Sequence, residues 1–169
     1  MIEQEVVARL QAAGLSIATA ESLTGGALCA RLVDIPGASL VVRGGVCTYA
    51  TDLKRSMLNV DTHLLVQVGP VHRDVAIAMA RGAHKLFCAD IAVATTGVAG
   101  PGPADGHPAG TAHIAVFLDA THLGSEPTPP IELHRELHIE GNRDEVRRKV
   151  ADSALELVID ALNRRHPRH

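Results

Sequence analysis

Aromatic side chains are almost absent from this sequence, which has no tryptophan, two phenylalanines and one tyrosine among 169 residues. Its hydrophobic content of 46% is still sufficient for one core, so aliphatic side chains must fill that core. The length predicts a single domain over residues 1–169. The lone tyrosine, Tyr49, lies in a polar motif, which raises the question of a functional role.

An excess of basic charge and a long apolar run are also missing. The formal net charge is -3, which argues against binding to the phosphate backbone of nucleic acid. No apolar run approaches the roughly 18 residues of a membrane span, and the first residues are acidic where a signal peptide would be basic. We therefore expect a cytoplasmic protein that binds neither nucleic acid nor membrane.

Metal-binding and disulfide patterns are not evident. Cys29, Cys47 and Cys88 are odd in number and lie in apolar surroundings, so we expect buried free thiols in a reducing compartment. His134 and His138 lie in a predicted strand, and the histidines show no zinc spacing. We expect no metal and no organic cofactor.

Strand-like and helix-like patterns alternate along the chain. Apolar residues at helical spacing predict helices over 2–13, 73–87 and 143–163, a helix carrying Leu28 and Leu32, and a short helix near Thr51. Apolar runs predict strands over 15–20, 41–49, 91–96, 111–118 and 131–139, the last at a sheet edge. This alternation predicts an α/β fold, a three-layer α/β/α sandwich around a mixed sheet, with the strand order left open. The tail 164–169 is expected to be disordered.

The turn after the first strand is a candidate site. Ser22, Thr24, Gly25 and Gly26 place a hydroxyl and several backbone amides where the next helix begins. Such a turn suits an anion or a developing oxyanion. Serine and threonine before a helix are also ordinary caps, so a purely structural role stays open.

A second candidate follows the next strand, where Tyr49 precedes Lys54 by five positions. A phenol and an amine can converge there. The spacing is one residue longer than the Tyr-x-x-x-Lys of reductases, and no Gly-x-Gly-x-x-Gly follows the first strand, which disfavours a dehydrogenase. The alternative is an interfacial tyrosine and a solvated lysine.

A third candidate is the glycine-rich loop over 97–110. Thr96 precedes this loop, and its glycines, among them Gly97, Gly100 and Gly102, allow backbone amides to approach a ligand closely. The Gly-Lys-Ser/Thr of a triphosphate loop is missing. A monophosphate site remains open. Three arginines at the start of the last helix can also bind a phosphate, or can form a solvated basic face: Arg143, Arg147 and Arg148.

Four segments taken in order resemble the C-terminal domain family of competence/damage-inducible protein CinA. They are Ala-Thr-Ala-Glu-Ser-Leu-Thr-Gly-Gly at 18–26, Gly-Gly-Val-Cys-Thr-Tyr-Ala-Thr-Asp-Leu-Lys at 44–54, Thr-Gly-Val-Ala-Gly-Pro-Gly at 96–102 and Gly-Asn-Arg-Asp-Glu-Val-Arg at 141–147. The resemblance runs from about residue 3 to residue 162. The chain is similar to the stand-alone form of the family, and it departs from relatives at His72, Arg73 and residues 104–107.

The resemblance implies a nicotinamide-nucleotide amidohydrolase, which converts nicotinamide mononucleotide and water into nicotinic acid mononucleotide and ammonia. It implies that Ser22, Tyr49 and Lys54 are the catalytic residues and that Thr96 and Arg143 bind the substrate. It also implies a homodimer. Serine needs a base to lose its proton, and burial can lower the pKa of Lys54 enough for that task. The amides of 24–26 would then stabilise the oxyanion, and either an acyl-enzyme or an activated water fits.

Two alternatives to this activity remain open. One is a non-catalytic nucleotide-sensing or protein-interaction domain that uses the same pocket. The other is an amidase for a different small amide, which the same residues would serve equally well.

Overall fold

The computed structural model describes residues 1–121 and 128–165, and its centre is a mixed sheet. The strands are β1 (Ile17–Glu21), β2 (Val42–Cys47), β3 (Ile91–Gly97), β4 (Thr111–Leu118) and β5 (Ile131–His138). Their order across the sheet is β2-β1-β3-β4-β5, with β2, β1 and β3 parallel and β4 and β5 antiparallel to their neighbours. The mixed sheet and the edge position of β5 confirm the sequence prediction.

Helices cover both faces of this sheet. They are α1 (Ile2–Ala13), α2 (Ala27–Val33), α3 (Thr51–Leu58), α4 (Thr62–Val68), α5 (Arg73–Phe87) and α6 (Arg143–Arg165), with a 3₁₀ turn at Ala38–Leu40. The core on one face joins α1, α2 and α6 to the sheet, and the core on the other face joins α3 and α5 to it. The three-layer α/β/α arrangement predicted from the sequence is therefore present.

The two faces of the sheet carry side chains of different size. On β3, Ile91 and Val93 point to the α1 and α6 side, whereas Ala92 and Ala94 point to α5. Successive side chains of a strand face opposite sides, so this alternation gives α5 a flat alanine surface on which to pack. The core is aliphatic, as expected from the scarcity of aromatics. Branched residues fill it on one face of β3, and alanines fill it on the other.

The Gly44-Gly45 pair lies within β2, next to a shift in the pairing of this strand with β1. Ile17 pairs with Val42 but Ala18 pairs with Gly44, so the register shifts at this point. A Cβ on Gly45 would collide with the hydroxyl of Thr19. The glycine therefore leaves room for the side chains of Thr19 and Cys29.

Two expectations, the burial of the cysteines and the disorder of the chain end, need correction. Cys47 and Cys88 are exposed and Cys29 is half-buried, because β2 is an edge strand and Cys88 is the left-handed cap of α5. All three are free thiols, as expected. The expected disorder of 164–169 is wrong for its first two residues, which continue α6 to Arg165, while 166–169 lie outside the described residues. Within the described ranges no helix combines the length and apolar character that crossing a bilayer requires.

The strand directions position the candidate site. Because β1, β2 and β3 are parallel, their carboxyl ends meet at one edge of the sheet, where ligands of open α/β sheets bind. The three turns singled out in the sequence follow these strands. Their convergence is therefore a consequence of the strand order, which the sequence did not reveal.

Candidate active site

A cavity of about 310 Å³ opens at the carboxyl ends of the parallel strands. Its volume lies at the lower end of the range typical of small-molecule sites. Its polar lining comes from all three turns and from the start of α6, and comprises Ser22, Tyr49, Thr51, Lys54, Thr96, Asp105 and Arg143. Backbone of the glycine-rich loop forms one wall, and Pro70 and Val71 before α5 add an apolar edge.

The floor of the cavity holds a serine and a lysine in contact. The Nζ of Lys54 lies 3.1 Å from the Oγ of Ser22 and 2.7 Å from the carbonyl oxygen of Thr48. Lys54 is 1% exposed and Ser22 is 7% exposed. The alternative of a solvated lysine is therefore wrong.

Burial changes the acidity of this lysine. Removal from water disfavours the ammonium form and lowers the pKa of Lys54 to about 8, although the carboxylate of Asp105 opposes part of that shift. A neutral amine can keep an N–H on the Thr48 carbonyl and direct its lone pair at the Ser22 hydroxyl. The geometry thus suits proton transfer from serine to lysine.

Tyr49 stands at the cavity mouth and contacts Arg143 rather than Lys54. The Nη2 of Arg143 donates to the phenol oxygen of Tyr49 at 3.2 Å, and its Nη1 donates to the carbonyl of Gly100 at 2.6 Å. Tyr49 is 62% exposed. This arrangement suits a residue that contacts substrate at the entrance and holds Arg143 in place.

The turn after β1 is organised by Glu21, whose role the sequence did not reveal. Its buried carboxylate accepts hydrogen bonds from the amides of Gly26, Leu28 and Cys29, at 3.0, 3.0 and 2.8 Å. The positive end of α2 is therefore neutralised by the protein's own carboxylate. The expectation that this helix end faces a substrate anion is wrong.

Thr24, Gly25 and Gly26 lie behind Ser22 and do not line the cavity. The hydroxyl of Thr24 contacts that of Thr95 at 2.8 Å, and the amide of Gly25 donates to the Ser22 carbonyl at 3.0 Å. Since the amide of Gly26 is held by Glu21, neither glycine amide is available to an oxyanion. These three residues shape the turn instead, and the two glycines supply its positive φ angles of 60° and 94°.

The arginines of α6 divide into different roles. Arg147 donates to the carbonyls of Leu23 and Thr24, at 3.0 and 2.9 Å, and so ties α6 to the turn that carries Ser22. Arg148 is exposed. Arg143 is the member of this run that lines the cavity.

The glycine-rich loop contributes backbone more than side chains. Gly97, Gly100 and Gly102 line the cavity, whereas the Thr96 hydroxyl donates to the Pro70 carbonyl at 2.7 Å. A Cβ on Gly97 would come within 2.6 Å of the Thr111 carbonyl. Glycine at this position is therefore required by the contact between the end of β3 and the start of β4.

The sequence did not indicate that Asp105 lines the cavity or that Arg147 binds the turn after β1. The Asp-Gly pair at 105–106 is a turn signal within the loop, and it could have indicated a defined hairpin tip. Nothing in the sequence indicated that Arg147 reaches the first turn. Across the described ranges, no cluster of three or more metal-ligating side chains has metal-binding geometry.

Comparison with known proteins agrees with this architecture. Residues 1–162 match the model of the CinA C-terminal domain. The chain belongs to the CinA C-terminal domain family. It is 43% identical over 167 residues to a CinA-like protein of Mycolicibacterium gilvum and 41% identical over 157 residues to a CinA-like protein of Frankia casuarinae. These alignments cover 96% and 93% of the chain but only 36% and 34% of the relatives. The chain thus spans about a third of their length.

Solved structures of the CinA family share the fold over almost their whole length. The competence/damage inducible protein CihA from Agrobacterium tumefaciens is 37% identical, superimposes with a TM-score of 0.86, and aligns over 96% of this chain and 93% of its own. A CinA superfamily protein from Klebsiella pneumoniae is 29% identical with a TM-score of 0.87, and 96% of each chain is covered. Family membership is consistent with an enzyme, and the names of these relatives state no reaction.

Proposed function

We propose that this CinA-family domain is an amidohydrolase that cleaves the carboxamide of nicotinamide mononucleotide, releasing nicotinic acid mononucleotide and ammonia. The observation that carries the proposal is the buried contact between the Nζ of Lys54 and the Oγ of Ser22. Amide hydrolysis requires a nucleophile, a proton acceptor and a binding cavity. Ser22, Lys54 and the cavity around them match that requirement.

In the proposed reaction, neutral Lys54 takes the proton of the Ser22 hydroxyl as its oxygen attacks the amide carbon. The resulting ammonium returns the proton to the leaving nitrogen, the carbon–nitrogen bond breaks, and ammonia departs. Water then attacks the Ser22 ester, and Lys54 accepts a proton from that water. The amine passes this proton to the Ser22 oxygen as the ester bond breaks, which releases the acid and restores both side chains. The 3.1 Å separation of the two side chains favours this direct transfer over an activated water.

The substrate phosphate is assigned to Arg143 and the glycine-rich loop at the cavity wall. The guanidinium is exposed, and the Gly100 carbonyl and the Tyr49 phenol fix its position. A guanidinium held in this way is suited to a charge-assisted contact with a phosphate. Arg143 is preferred over Arg147 for this role, because the guanidinium of Arg147 already donates to two backbone carbonyls.

Ammonia release from a panel of amides tests the proposal. The panel is nicotinamide mononucleotide, nicotinamide riboside, nicotinamide and glutamine, each assayed with wild type and with Ser22→Ala. We expect wild type to release ammonia faster from the mononucleotide than from the other three amides, and Ser22→Ala to release none. Binding of the mononucleotide without turnover would instead indicate a nucleotide-sensing domain, and turnover of another panel member would indicate a different amidase. The homodimer and the cytoplasmic location remain predictions.

A further inference from the structure

Asp105 occupies the tip of a small hairpin that overhangs the cavity. Ala104 and His107 pair through reciprocal backbone hydrogen bonds of 3.0 and 2.9 Å, which leaves Asp105 and Gly106 as the two turn residues. Their φ angles are 50° and 79°, both in the left-handed region. An Asp-Gly pair is favoured at a two-residue turn of this kind. The position of Asp105 over the cavity is thus set by the backbone of the hairpin.

The carboxylate of Asp105 lines the cavity together with Lys54 and Arg143. Within residues 1–121 and 128–165 it forms no hydrogen bond or close ion pair, and its electrostatic partner is the buried amine of Lys54. The residue is exposed, and it lines the same cavity as Lys54. It supplies the negative charge in a lining whose other charged groups are basic.

A substrate carboxamide that reaches Ser22 must place the atoms next to its carbonyl on the same side of the cavity. In nicotinamide mononucleotide those atoms belong to a pyridine ring that is quaternised at its nitrogen and carries a positive charge. Free nicotinamide and the reduced mononucleotide have uncharged rings. A carboxylate within a few ångströms of the ring attracts the charged form alone.

Building on the proposed function, we propose that Asp105 is a specificity residue that recognises the cationic ring, so that the cavity selects amides of N-substituted pyridinium rings over amides of neutral rings. Arg143 would then bind the anionic end of the substrate and Asp105 its cationic end. The alternative is that Asp105 acts only on Lys54. That alternative predicts an altered pH profile without any change in ligand preference.

Binding to the Ser22→Ala protein separates these possibilities, because no turnover occurs. Calorimetry would compare the Kd of nicotinamide mononucleotide with that of its reduced form, which has the same ribose and phosphate but a neutral ring. The parent is expected to bind the oxidised form about tenfold more tightly. Addition of Asp105→Asn should reduce this preference to about twofold or less by weakening the oxidised ligand alone, since asparagine also tolerates the left-handed turn position.

Asp52→Asn is the matched control, because Asp52 is an exposed carboxylate on α3 that does not line the cavity. It should leave the preference unchanged. A preference that survives Asp105→Asn, or equal weakening of both ligands, would overturn the inference. Ammonia release by wild type is measured in a separate assay. Failure of the proposed function would appear there as an absence of turnover, and the ratio of the two Kd values would still test the role of Asp105.

Discussion

The Nζ of Lys54 lies 3.1 Å from the Oγ of Ser22, and both atoms belong to side chains that are almost fully buried. Lys54 comes from α3 and Ser22 from the turn after β1, so the contact depends on the parallel pairing of β1 with β2. Burial keeps the amine partly neutral at physiological pH, which a solvated lysine would not be. The proposed chemistry rests on this one contact.

The pH dependence of kcat/KM reports the protonation of Lys54. Its pKa is lowered to about 8, and only the neutral amine accepts the Ser22 proton, so activity should rise with pH and level off above that value. Two pH units below the pKa, the rate should be about 100-fold under the plateau. Asp105 raises the pKa of Lys54, and Asp105→Asn should therefore move the rise to lower pH.

Steady-state assays between pH 6 and 9.5 check this prediction, with circular dichroism at each pH to verify folding. A profile that is flat over the whole range would show that no group with a pKa near 8 limits the reaction.

Arg143→Ala tests the assignment of the phosphate. Loss of a charge-assisted hydrogen bond of roughly 1.5–3 kcal/mol should raise KM for nicotinamide mononucleotide by about tenfold or more. Nicotinamide riboside lacks the phosphate, so its KM should change little. Arg148→Ala, an exposed arginine on the same helix, serves as the control and should behave as wild type. Equal losses on both substrates would remove Arg143 from phosphate binding.

Arg147→Ala tests the link between α6 and the turn of Ser22. Two hydrogen bonds to backbone carbonyls are lost, so the free energy of unfolding should fall by about 1.5–3 kcal/mol and kcat by about tenfold, with little change in KM. Arg147→Lys keeps the charge but lacks the planar two-point donor, and should recover only part of both losses. Thermal unfolding and steady-state kinetics on the same preparations give the two values. Unchanged kcat with lowered stability would restrict Arg147 to a purely structural role.

Local signals in the sequence were enough to predict the fold class and the three turns. Short apolar runs followed by glycine-rich or hydroxyl-rich turns predict strand ends, and ligands of α/β sheets collect at such ends. Ser22, Lys54 and Arg143 were singled out on this basis and by the family resemblance, and the structure brings Ser22 and Lys54 into contact while Arg143 lines the same cavity.

The features that the sequence missed depend on the placement of side chains in three dimensions, which local periodicity does not determine. The carboxylate of Glu21, the last residue of β1, caps α2, and Arg147 crosses from α6 to a turn more than one hundred positions earlier. The apolar neighbours of Cys47 predict burial, but the edge position of β2 places its side chain in solvent. Neither strand order nor a long side chain's reach is encoded in local periodicity.

The most direct test of the account is a double-mutant cycle on kcat for nicotinamide mononucleotide. Ser22→Ala and Lys54→Ala should each lower kcat by at least about 100-fold, and the double variant should be scarcely slower than the worse single variant, because a nucleophile and its base act as one unit. Lys54→Arg should fail as well, since a guanidinium stays protonated and cannot accept the serine proton. Additive losses in the folded double variant, or near-normal turnover by Lys54→Arg, would contradict the account.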